Sequence, residues 1–561
     1  MRKPLVSLLC LLAVIAGCSG PAGLDVEVDH VTGKAPPPLG AEGPETTAFT
    51  ESWRAPVKLP EGDARFMLSG GNVVAGGEDG VFAFAATTGE RGWRYREPGR
   101  TISAWVANDD VVVIESHGTD AEDNPADWHV IGLDSGTGEQ LWERTDNEWR
   151  LDSGEPVAGI VLGRIGGYEA QGIEARTGEV KWSFSAEDVP GGCADPDPDS
   201  GGSGGSGEDS FPLHLSCGGK DPVKVFGTVD AETGEPQWFR AVGEDDRFPI
   251  PEKRGDLSTY RANAGEFLLL DWAGKEVRTE EEYGRCPCAL LNQHDRTLLA
   301  YRVAALAGRT SGKVSELGED GVAKPVAELR SSLHSTSIYS AAAGRFYGIG
   351  PARPGYPYTT PLTVAMVGND DKVGYAALPV ALAKNMREDF WFEVAGERVF
   401  LAMRREGDSE FVIRSFTPSQ ETGRLGAAPF DDWVDPCTLL SGVVKEERPR
   451  QPDDPEYAGD LTVPPTGCFG YLPAGEREQV RSVDLDVVWV APTAAEAEAL
   501  LASTDATSES KAGADQEYRS ETGTTLLRVG AVIVSVDTFD FGEDQRDKAL
   551  RGIVANLREP G

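Results

Sequence analysis

Gly172-Ile-Glu-Ala-Arg-Thr-Gly178-Glu-Val-Lys-Trp182 is the stretch that decides the fold, because its pattern occurs four times in the chain. In every copy, Thr-Gly-Glu is followed by two variable residues and then by Trp. The four copies end at Trp93, Trp142, Trp182 and Trp238, and their turn glycines are Gly89, Gly138, Gly178 and Gly234. The repeat therefore marks a structural unit that recurs along this part of the chain.

Short apolar runs, such as residues 81–84 and 130–133, precede the copies and predict β-strands. Thr-Gly then predicts a tight turn, since glycine adopts a positive φ at little steric cost. The Trp falls on the returning strand, where a large ring is best used for packing against the neighbouring repeat. The Trp-to-Trp intervals of 49, 40 and 56 residues are typical of four-stranded propeller blades.

This repeat resembles the blade repeat of the pyrroloquinoline-quinone (PQQ) enzyme family, in which the blades form an eight-bladed β-propeller. We expect such a propeller over residues 49–430, with eight blades at about 47 residues each and seven as the alternative. Glu421-Thr-Gly-Arg424 is a last copy of the turn without a Trp. Ring closure predicts that the first and last strands pair, which removes exposed sheet edges.

The PQQ resemblance implies two adjacent cysteines above the cofactor, a Trp floor, a Ca²⁺ site and an aspartate base. No two cysteines are adjacent in this chain, and Cys286-Pro-Cys288 is only a loose substitute. The six histidines show no metal-ligand spacing, and no nucleophile elbow or Walker loop occurs. We therefore predict no catalytic residue, no metal ligand and no cofactor; PQQ with Ca²⁺ is the alternative.

The N-terminus indicates export. Arg2 and Lys3 precede the apolar residues 5–15, which are too few to span a bilayer. The run ends in Ile15-Ala-Gly-Cys18, which is similar to a bacterial lipobox and implies cleavage before Cys18 and lipidation of that cysteine. The sequence thus predicts a signal peptide over residues 1–18 and a Pro/Gly/acidic flexible tether over residues 19–48. The expected location is the extracytoplasmic face of the cell membrane.

The remaining cysteines suit an oxidising compartment. Cys193 and Cys217 flank a Gly/Ser-rich insertion, Cys437 and Cys468 flank a polar loop, and both pairs are candidate disulfides. Cys286 and Cys288 are also candidates, although a bond between them would close a small, strained ring.

After Phe430 the composition changes, and residues 431–561 predict a small disulfide-stapled α+β domain. Thr493-Ala-Ala-Glu496 is a capping-box signature, and Leu550, Ile553, Val554 and Leu557 share one face of a final helix. The Asp435-Pro-Cys-Thr-Leu-Leu opening and the run at residues 527–536 resemble a two-Cys domain. That domain occurs in lipoproteins of high-GC Gram-positive bacteria and in extracellular sensor domains of some of their Ser/Thr kinases.

The formal net charge of −39 argues against nucleic acid or anionic lipid as partners. The sequence favours a non-catalytic binding or assembly platform that uses its propeller to bind an envelope or membrane protein. The alternatives are a quinone- or metal-dependent oxidoreductase and a sensor that binds a small ligand through the C-terminal domain.

Overall fold

The structure is a computed structural model, and it describes the following parts of the chain: residues 28–40, 43–44, 46, 49–59, 64–120, 124–145, 149–152, 154–165, 169–190, 193, 209–218, 223–242, 258–262, 266–270, 274–279, 288–293, 296–304, 310–318, 322–329, 339–342, 345–351, 361–368, 373–381, 390–404, 410–419, 428, 432–449, 456–458, 461–463, 467–472, 481–502, 510–519 and 524–559.

Short β-strands dominate these residues. The first seventeen are β1 (Asp29–Val31), β2 (Phe49–Lys58), β3 (Arg65–Ser69), β4 (Asn72–Gly77), β5 (Gly80–Ala85), β6 (Arg91–Arg96), β7 (Thr101–Ala107), β8 (Val111–Thr119), β9 (Pro125–Asp134), β10 (Gln140–Arg144), β11 (Trp149–Leu151), β12 (Ile160–Ile165), β13 (Glu169–Glu174), β14 (Val180–Phe184), β15 (Ser210–Cys217), β16 (Val223–Asp230) and β17 (Pro236–Val242). The next fourteen are β18 (Ser258–Ala262), β19 (Glu266–Leu270), β20 (Glu276–Thr279), β21 (Cys288–Gln293), β22 (Arg296–Ala304), β23 (Thr310–Leu317), β24 (Val322–Leu329), β25 (Tyr339–Ala342), β26 (Arg345–Pro351), β27 (Pro361–Val367), β28 (Val373–Ala381), β29 (Phe390–Ala395), β30 (Arg398–Arg404) and β31 (Glu410–Pro418).

Consecutive strands pair in an antiparallel manner and form a series of small sheets. The sheet orders are β1-β6-β5-β4-β3, β10-β9-β8-β7, β11-β12-β13-β14, β15-β16-β17 and β25-β26-β27-β28. Between the last two, β18–β24 form one seven-stranded sheet through a parallel pairing of β20 with β24. Because that sheet does not divide into separate four-stranded units, the number of blades, eight or seven, stays a prediction.

The chain closes on itself through the sheet β2-β31-β30-β29. The register of β2 on β31 runs from Phe49 opposite Pro418 to Lys58 opposite Glu410. The side chain of Arg414 crosses this seam and donates to Glu51 Oε2 at 2.9 Å. The predicted pairing of the first and last propeller strands is therefore confirmed.

Residues 28–40 differ from the predicted tether. β1 pairs with β6 as an additional outer strand of the first sheet, in the register Asp29 opposite Arg96. Leu39 packs against the apolar cluster that joins the first and last sheets. Specific backbone and side-chain partners thus hold this Pro/Gly-rich stretch in place, although its composition is typical of a flexible linker.

The C-terminal part consists of β32 (Glu446–Pro449), β33 (Glu456–Ala458), β34 (Leu461–Val463), β35 (Gly467–Leu472), β36 (Arg481–Val490), β37 (Gln516–Arg519), β38 (Thr525–Val529) and β39 (Val532–Phe539), with helices α1 (Pro436–Leu440), α2 (Ala494–Ala502) and α3 (Glu543–Arg558). Six strands form the antiparallel sheet β32-β35-β36-β39-β38-β37.

Helices cover both faces of this C-terminal sheet. Leu439 of α1 and Leu550 of α3 pack on one face with Leu485, whereas Leu500 of α2 packs on the other with Trp489. Helix α2 also lies beside β28 of the propeller part. The predicted fold class, mainly β with propeller sheets followed by a small α+β unit, is confirmed.

A candidate interaction face built from the repeat turns

Each of the four sequence repeats forms the last hairpin of one sheet, between β5 and β6, β9 and β10, β13 and β14, and β16 and β17. The turn glycines Gly89, Gly138, Gly178 and Gly234 all have φ of 72–73°. Each closes its turn by donating its N–H to the carbonyl four residues earlier, for example from Gly138 to Asp134 at 2.7 Å. A residue with a Cβ is disfavoured at that φ, which explains the glycine.

The Trp of each repeat lies on the turn glycine of the following sheet, an arrangement that we call the Trp–Gly stack. Trp93 covers Gly138, Trp142 covers Gly178 and Trp182 covers Gly234. A Cβ at these glycines would lie only 2.6–2.7 Å from a ring atom. The indole Nε1 groups of the three Trp side chains donate to carbonyls of the same turns, those of Ser135, Ala175 and Ala231, at 2.8, 2.7 and 2.9 Å. Each stack therefore fixes the position of one turn relative to the preceding sheet.

Two further Trp–Gly stacks extend the series beyond the sequence repeats. Trp53 on β2 covers Gly89 and donates to the carbonyl of Ala86 at 3.0 Å. At the other end, Gly274, with φ 74°, lies against the ring of Trp238. Trp53 precedes Trp93 by 40 residues, the same interval that separates Trp142 from Trp182, so the spacing contained a signal for it. Since Trp53 belongs to the closing strand, its stack joins the last sheet to the first.

Strands alternate in direction in the sheets built from β3–β6, β7–β10 and β11–β14, so the turns after the first and third of these strands lie at one end of the propeller, and the β16–β17 turn lies at the same end. We call this end the turn face. Between the second and third sheets it carries a groove of about 300 Å³. The groove is lined by the β7–β8 and β11–β12 turns, by the β13–β14 turn and by Glu232 of the next turn. One of these loops holds Ala158 at φ 49°, an uncommon value for a residue other than glycine.

Charges of both signs line the groove. Lys181 lies 2.8 Å from Glu174, and Arg176 lies 3.7 Å from Asp110. A hydrogen bond from Lys181 lowers the pKa of Glu174, and the same bond raises the pKa of Lys181. The Trp142–Gly178 and Trp182–Gly234 stacks anchor the backbone turns that carry Arg176 and Glu232. The groove thus presents an ordered pattern of charge in a shallow depression.

The N-terminal segment crosses the same face. Gly33 donates to the carbonyl of Thr137 at 2.8 Å, and Ala35 lies beside Gly136 in that turn. Farther along, Pro37 lies against Gly71 in the β3–β4 turn, and Gly40 lies against Gly396 in the β29–β30 turn. Residues 33–40 therefore run over turns of the second, first and last sheets and leave the groove between the second and third sheets open.

A buried polar network lies at the opposite end, where β6 leads into β7. The carboxylate of Glu97 accepts from Tyr95 Oη at 2.5 Å, from His129 Nδ1 at 2.8 Å and from Arg100 Nε at 2.7 Å. Burial raises the pKa of Glu97, but hydrogen bonds from His129, Ser116 and Tyr95 together with the charge of His129 outweigh it and lower the pKa to about 2. Burial also raises the pKa of Tyr95. This network connects the first two sheets and has the features of a structural ion pair.

The cysteines fall into two groups. Cys193 and Cys217 form one disulfide, and Cys437 and Cys468 form another. Cys18 and Cys286 lie outside the described residues, and of Cys288 only the backbone, at the start of β21, is described.

Within the part of the chain that the structure describes, no group of three or more His, Cys, Asp or Glu side chains is placed to hold a metal ion. No helix in those same ranges is long and apolar enough to cross a membrane.

Solved propellers are similar to this chain at low sequence identity. BamB from Moraxella catarrhalis is 12% identical, with a TM-score of 0.35, over 67% of this chain and 99% of BamB. A quinohemoprotein alcohol dehydrogenase from Pseudomonas putida HK5 is 12% identical, with a TM-score of 0.37, over 73% of this chain and 83% of the enzyme. The β-propeller domain of Myceliophteria thermophila Cps50 is 10% identical, with a TM-score of 0.31, over 64% and 99%.

These TM-scores are too low to distinguish among propeller proteins of different function. No curated protein matches the chain. The family model PQQ_2, described as outer membrane protein assembly factor BamB, matches residues 49–193, which hold β2 to β14 and the first three repeats. In that part, the chain is similar to the PQQ-type repeat family described as outer membrane protein assembly factor BamB.

Proposed function

We propose that this protein is a non-catalytic binding and assembly platform that engages an envelope or membrane protein through the turn face of its propeller. The observation that carries the proposal is the open charged groove, whose turns are anchored by Trp–Gly stacks on both sides. A surface that is already ordered loses little conformational entropy when a partner binds.

The charge pattern fits protein recognition. Arg176 and Lys181 stand among the carboxylates Asp110, Glu174 and Glu232, so a partner must match both signs in a defined register. Such complementarity contributes mainly to specificity and to the rate of encounter. The net charge of −39 favours a partner that is basic overall, with carboxylates placed opposite Arg176 and Lys181.

The match of residues 49–193 supports this proposal by family resemblance, since the family is described as an assembly factor for outer membrane proteins. Fold alone does not fix function, so the identity of the partner is not carried over.

We further propose that the mature chain is a lipoprotein, anchored by lipid on Cys18 to the extracytoplasmic face of the cell membrane. The support is the lipobox-like Ile15-Ala-Gly-Cys18 after a short apolar run. Metabolic labelling with a fatty-acid analogue should label the wild type and leave Cys18→Ser unlabelled. Equal labelling of the two proteins would refute the assignment.

The platform proposal is tested by reversing the basic charges of the groove. Full-length protein carrying Arg176→Glu and Lys181→Glu is crosslinked mildly in its own membrane, isolated, and analysed by mass spectrometry beside wild type. The matched control is Arg448→Glu, which reverses an exposed arginine paired with Glu446 in the C-terminal sheet. We expect the groove variant to lose a protein partner that wild type and control both retain. If all three capture the same partners in equal amounts, the groove is not the binding site.

The absence of a cofactor stays a prediction, and the quinoprotein alternative has its own test. Purified protein incubated with PQQ and Ca²⁺ is examined by absorption spectroscopy and thermal unfolding. The platform proposal expects no bound chromophore and no shift in melting temperature. Stoichiometric binding of PQQ would favour the oxidoreductase instead.

A further inference from the structure

Strand β1 is fixed to the first sheet by several independent contacts. Beyond its backbone pairing with β6, Asp29 Oδ1 accepts from Arg94 Nη2 at 2.9 Å. The ring of His30 lies edge-on to Tyr95 at 5.4 Å, and its Nε2 is 2.6 Å from the carbonyl of Gly138. The contacts of Gly33, Pro37 and Gly40 with turns of three different sheets add to this attachment. We call residues 28–40 the clamp.

The clamp has a defined direction. β6 runs from the turn face toward the opposite end, and β1 is antiparallel to it, with Asp29 opposite Arg96 and Val31 opposite Arg94. The chain therefore enters the clamp at the end opposite the turn face and reaches the turn face only at Gly33. Whatever precedes residue 28 is attached to the opposite end.

The distance from this entry point to the proposed anchor is short. Only residues 19–28 separate Cys18 from β1. Ten residues reach at most about 35 Å when fully extended. The sheet is about 25 Å deep at β6 and its flanking residues, at about 3.3 Å per residue. If the turn face lay on the membrane, the ten residues would have to stretch over about 25 Å along the whole side of the sheet, beyond the roughly 18 Å that a flexible chain of this length spans on average, at a cost in chain entropy.

We propose that the clamp orients the propeller on the membrane, so that the end bearing Glu97 faces the lipid surface and the turn face points away from it. This inference rests on the proposed lipid anchor at Cys18. It deepens the proposed function by defining the kind of partner: a protein that approaches the groove from the side away from the anchoring membrane.

The orientation is measured by energy transfer from a single label to an acceptor on lipid head groups. Labels are placed at either end of the same strand through Glu90→Cys at the turn face and Pro98→Cys at the opposite end, both of which are exposed. Lipidated full-length protein is purified without reductant, labelled, and reconstituted into vesicles. Because the two positions lie about 25 Å apart along the strand, we expect about threefold higher transfer from position 98 than from position 90.

The two proposals fail in distinguishable ways. If the lipidated protein floats with the vesicles but transfer is equal from both positions, or higher from position 90, the orientation is overturned and the anchor stands. If the wild type behaves like Cys18→Ser and does not float with vesicles, the anchor itself is refuted and the orientation with it.

A pair of insertions tests whether the clamp is the cause. Ten Gly/Ser residues inserted after Ser19 double the reach of the tether, and we expect the difference in transfer between the two positions to fall sharply. The same ten residues inserted after Gly40 lie beyond the clamp and should leave the difference unchanged. Equal effects of the two insertions, or none after Ser19, would show that the clamp does not set the orientation.

Discussion

The joints between neighbouring sheets differ between the two halves of the ring. From β2 to β20, consecutive sheets are joined by apolar clusters and, in addition, by Trp–Gly stacks, in which one indole covers one turn glycine. From β25 to β31, the described residues form a joint that is a broad apolar cluster, which includes Phe346, Leu362, Phe392 and Leu401. A joint of the first kind thus adds one ring on one backbone position to its apolar contacts, whereas the described part of the second kind spreads the task over many side chains.

This difference determines what each half shows in its sequence. A Trp–Gly stack requires a residue without a Cβ at a positive φ, so its members recur at fixed offsets. An apolar cluster tolerates exchanges among residues of similar volume and therefore leaves no fixed motif. The first half of the ring therefore shows a repeated sequence motif, whereas the second half tolerates a wider range of apolar residues.

Replacing one buried aromatic side chain in each half should give the largest difference in stability loss between the two kinds of joint. Trp93→Leu replaces a fully buried indole in the joint between the first two sheets and leaves the Ser135 carbonyl without its donor, and we expect a loss of about 4 kcal/mol. In the second half, Phe392→Leu should cost only about 1 kcal/mol, since the cluster repacks around a smaller apolar side chain. Urea unfolding followed by far-ultraviolet circular dichroism measures both, and equal losses would remove the proposed difference between the joints.

Acid should destabilise the first half of the propeller at a higher pH than the second half. The folded state lowers the pKa of Glu97 to about 2 from its ordinary value of 4.5. The charged carboxylate therefore stabilises the fold above pH 4.5, and this stabilisation, up to about 3 kcal/mol, is lost as the pH falls from 4.5 toward 2.

Hydrogen exchange checks this effect. Between pH 5 and pH 3, amides of β6 and β9 should lose protection earlier than amides of β26 and β27, after correction for intrinsic exchange rates. Glu97→Gln should flatten the pH dependence in the first half. Parallel loss of protection in wild type and variant would exclude Glu97 as the cause.

A matched pair of glycines isolates the contribution of the Trp ring to a stack. Gly178 and Gly159 have φ of 73° and 77°, but an added Cβ would meet Trp142 at 2.7 Å in the first and nothing within 4 Å in the second. Gly159→Ala should cost about 1 kcal/mol from backbone strain alone. Gly178→Ala should cost about 2 kcal/mol more, because the ring must move. Thermal unfolding gives the difference, and equal costs would mean that the ring adapts without strain.

The smallest effect is expected at the surface of the groove. Lys181→Ala removes an exposed ion pair with Glu174, and such solvent-screened pairs contribute little to stability. Its melting temperature should therefore match that of wild type. A loss comparable to that of Gly178→Ala would indicate that the groove charges hold the joint together, and binding tests at this position would then need a different substitution.

The sequence predicts the four turn–Trp hairpins, because each requires the same local chemistry at the same spacing. It does not predict Trp53, because the closing sheet takes its Trp from β2 near the N-terminus, whereas the copy of the turn that belongs to this sheet lies more than 360 residues later. Glu421-Thr-Gly-Arg424 lacks a nearby Trp, and β2 supplies one to the strand β31 that precedes this turn.

Neither the groove nor the clamp could be predicted from local sequence as the hairpins could. The groove arises from turns of three sheets whose relative placement is a property of the assembled ring. The clamp has the Pro/Gly-rich composition of a linker, and its order comes from partners such as Arg94 and Gly138 that are distant in sequence. Local propensity carries no information about such partners.

The closing seam has a consequence for how the protein is made. Ser52 and the carbonyl of Ser415, which share a hydrogen bond across it, are 363 residues apart. Loop closure over that length disfavours the seam until most of the ring has formed, even though the entropic penalty grows only logarithmically with length. The chain is synthesised from its N-terminus, so β2 must wait with an unpaired edge until β31 has been made. Biogenesis of this protein therefore includes an interval, set by the rate of synthesis, in which an open β-edge requires protection from aggregation.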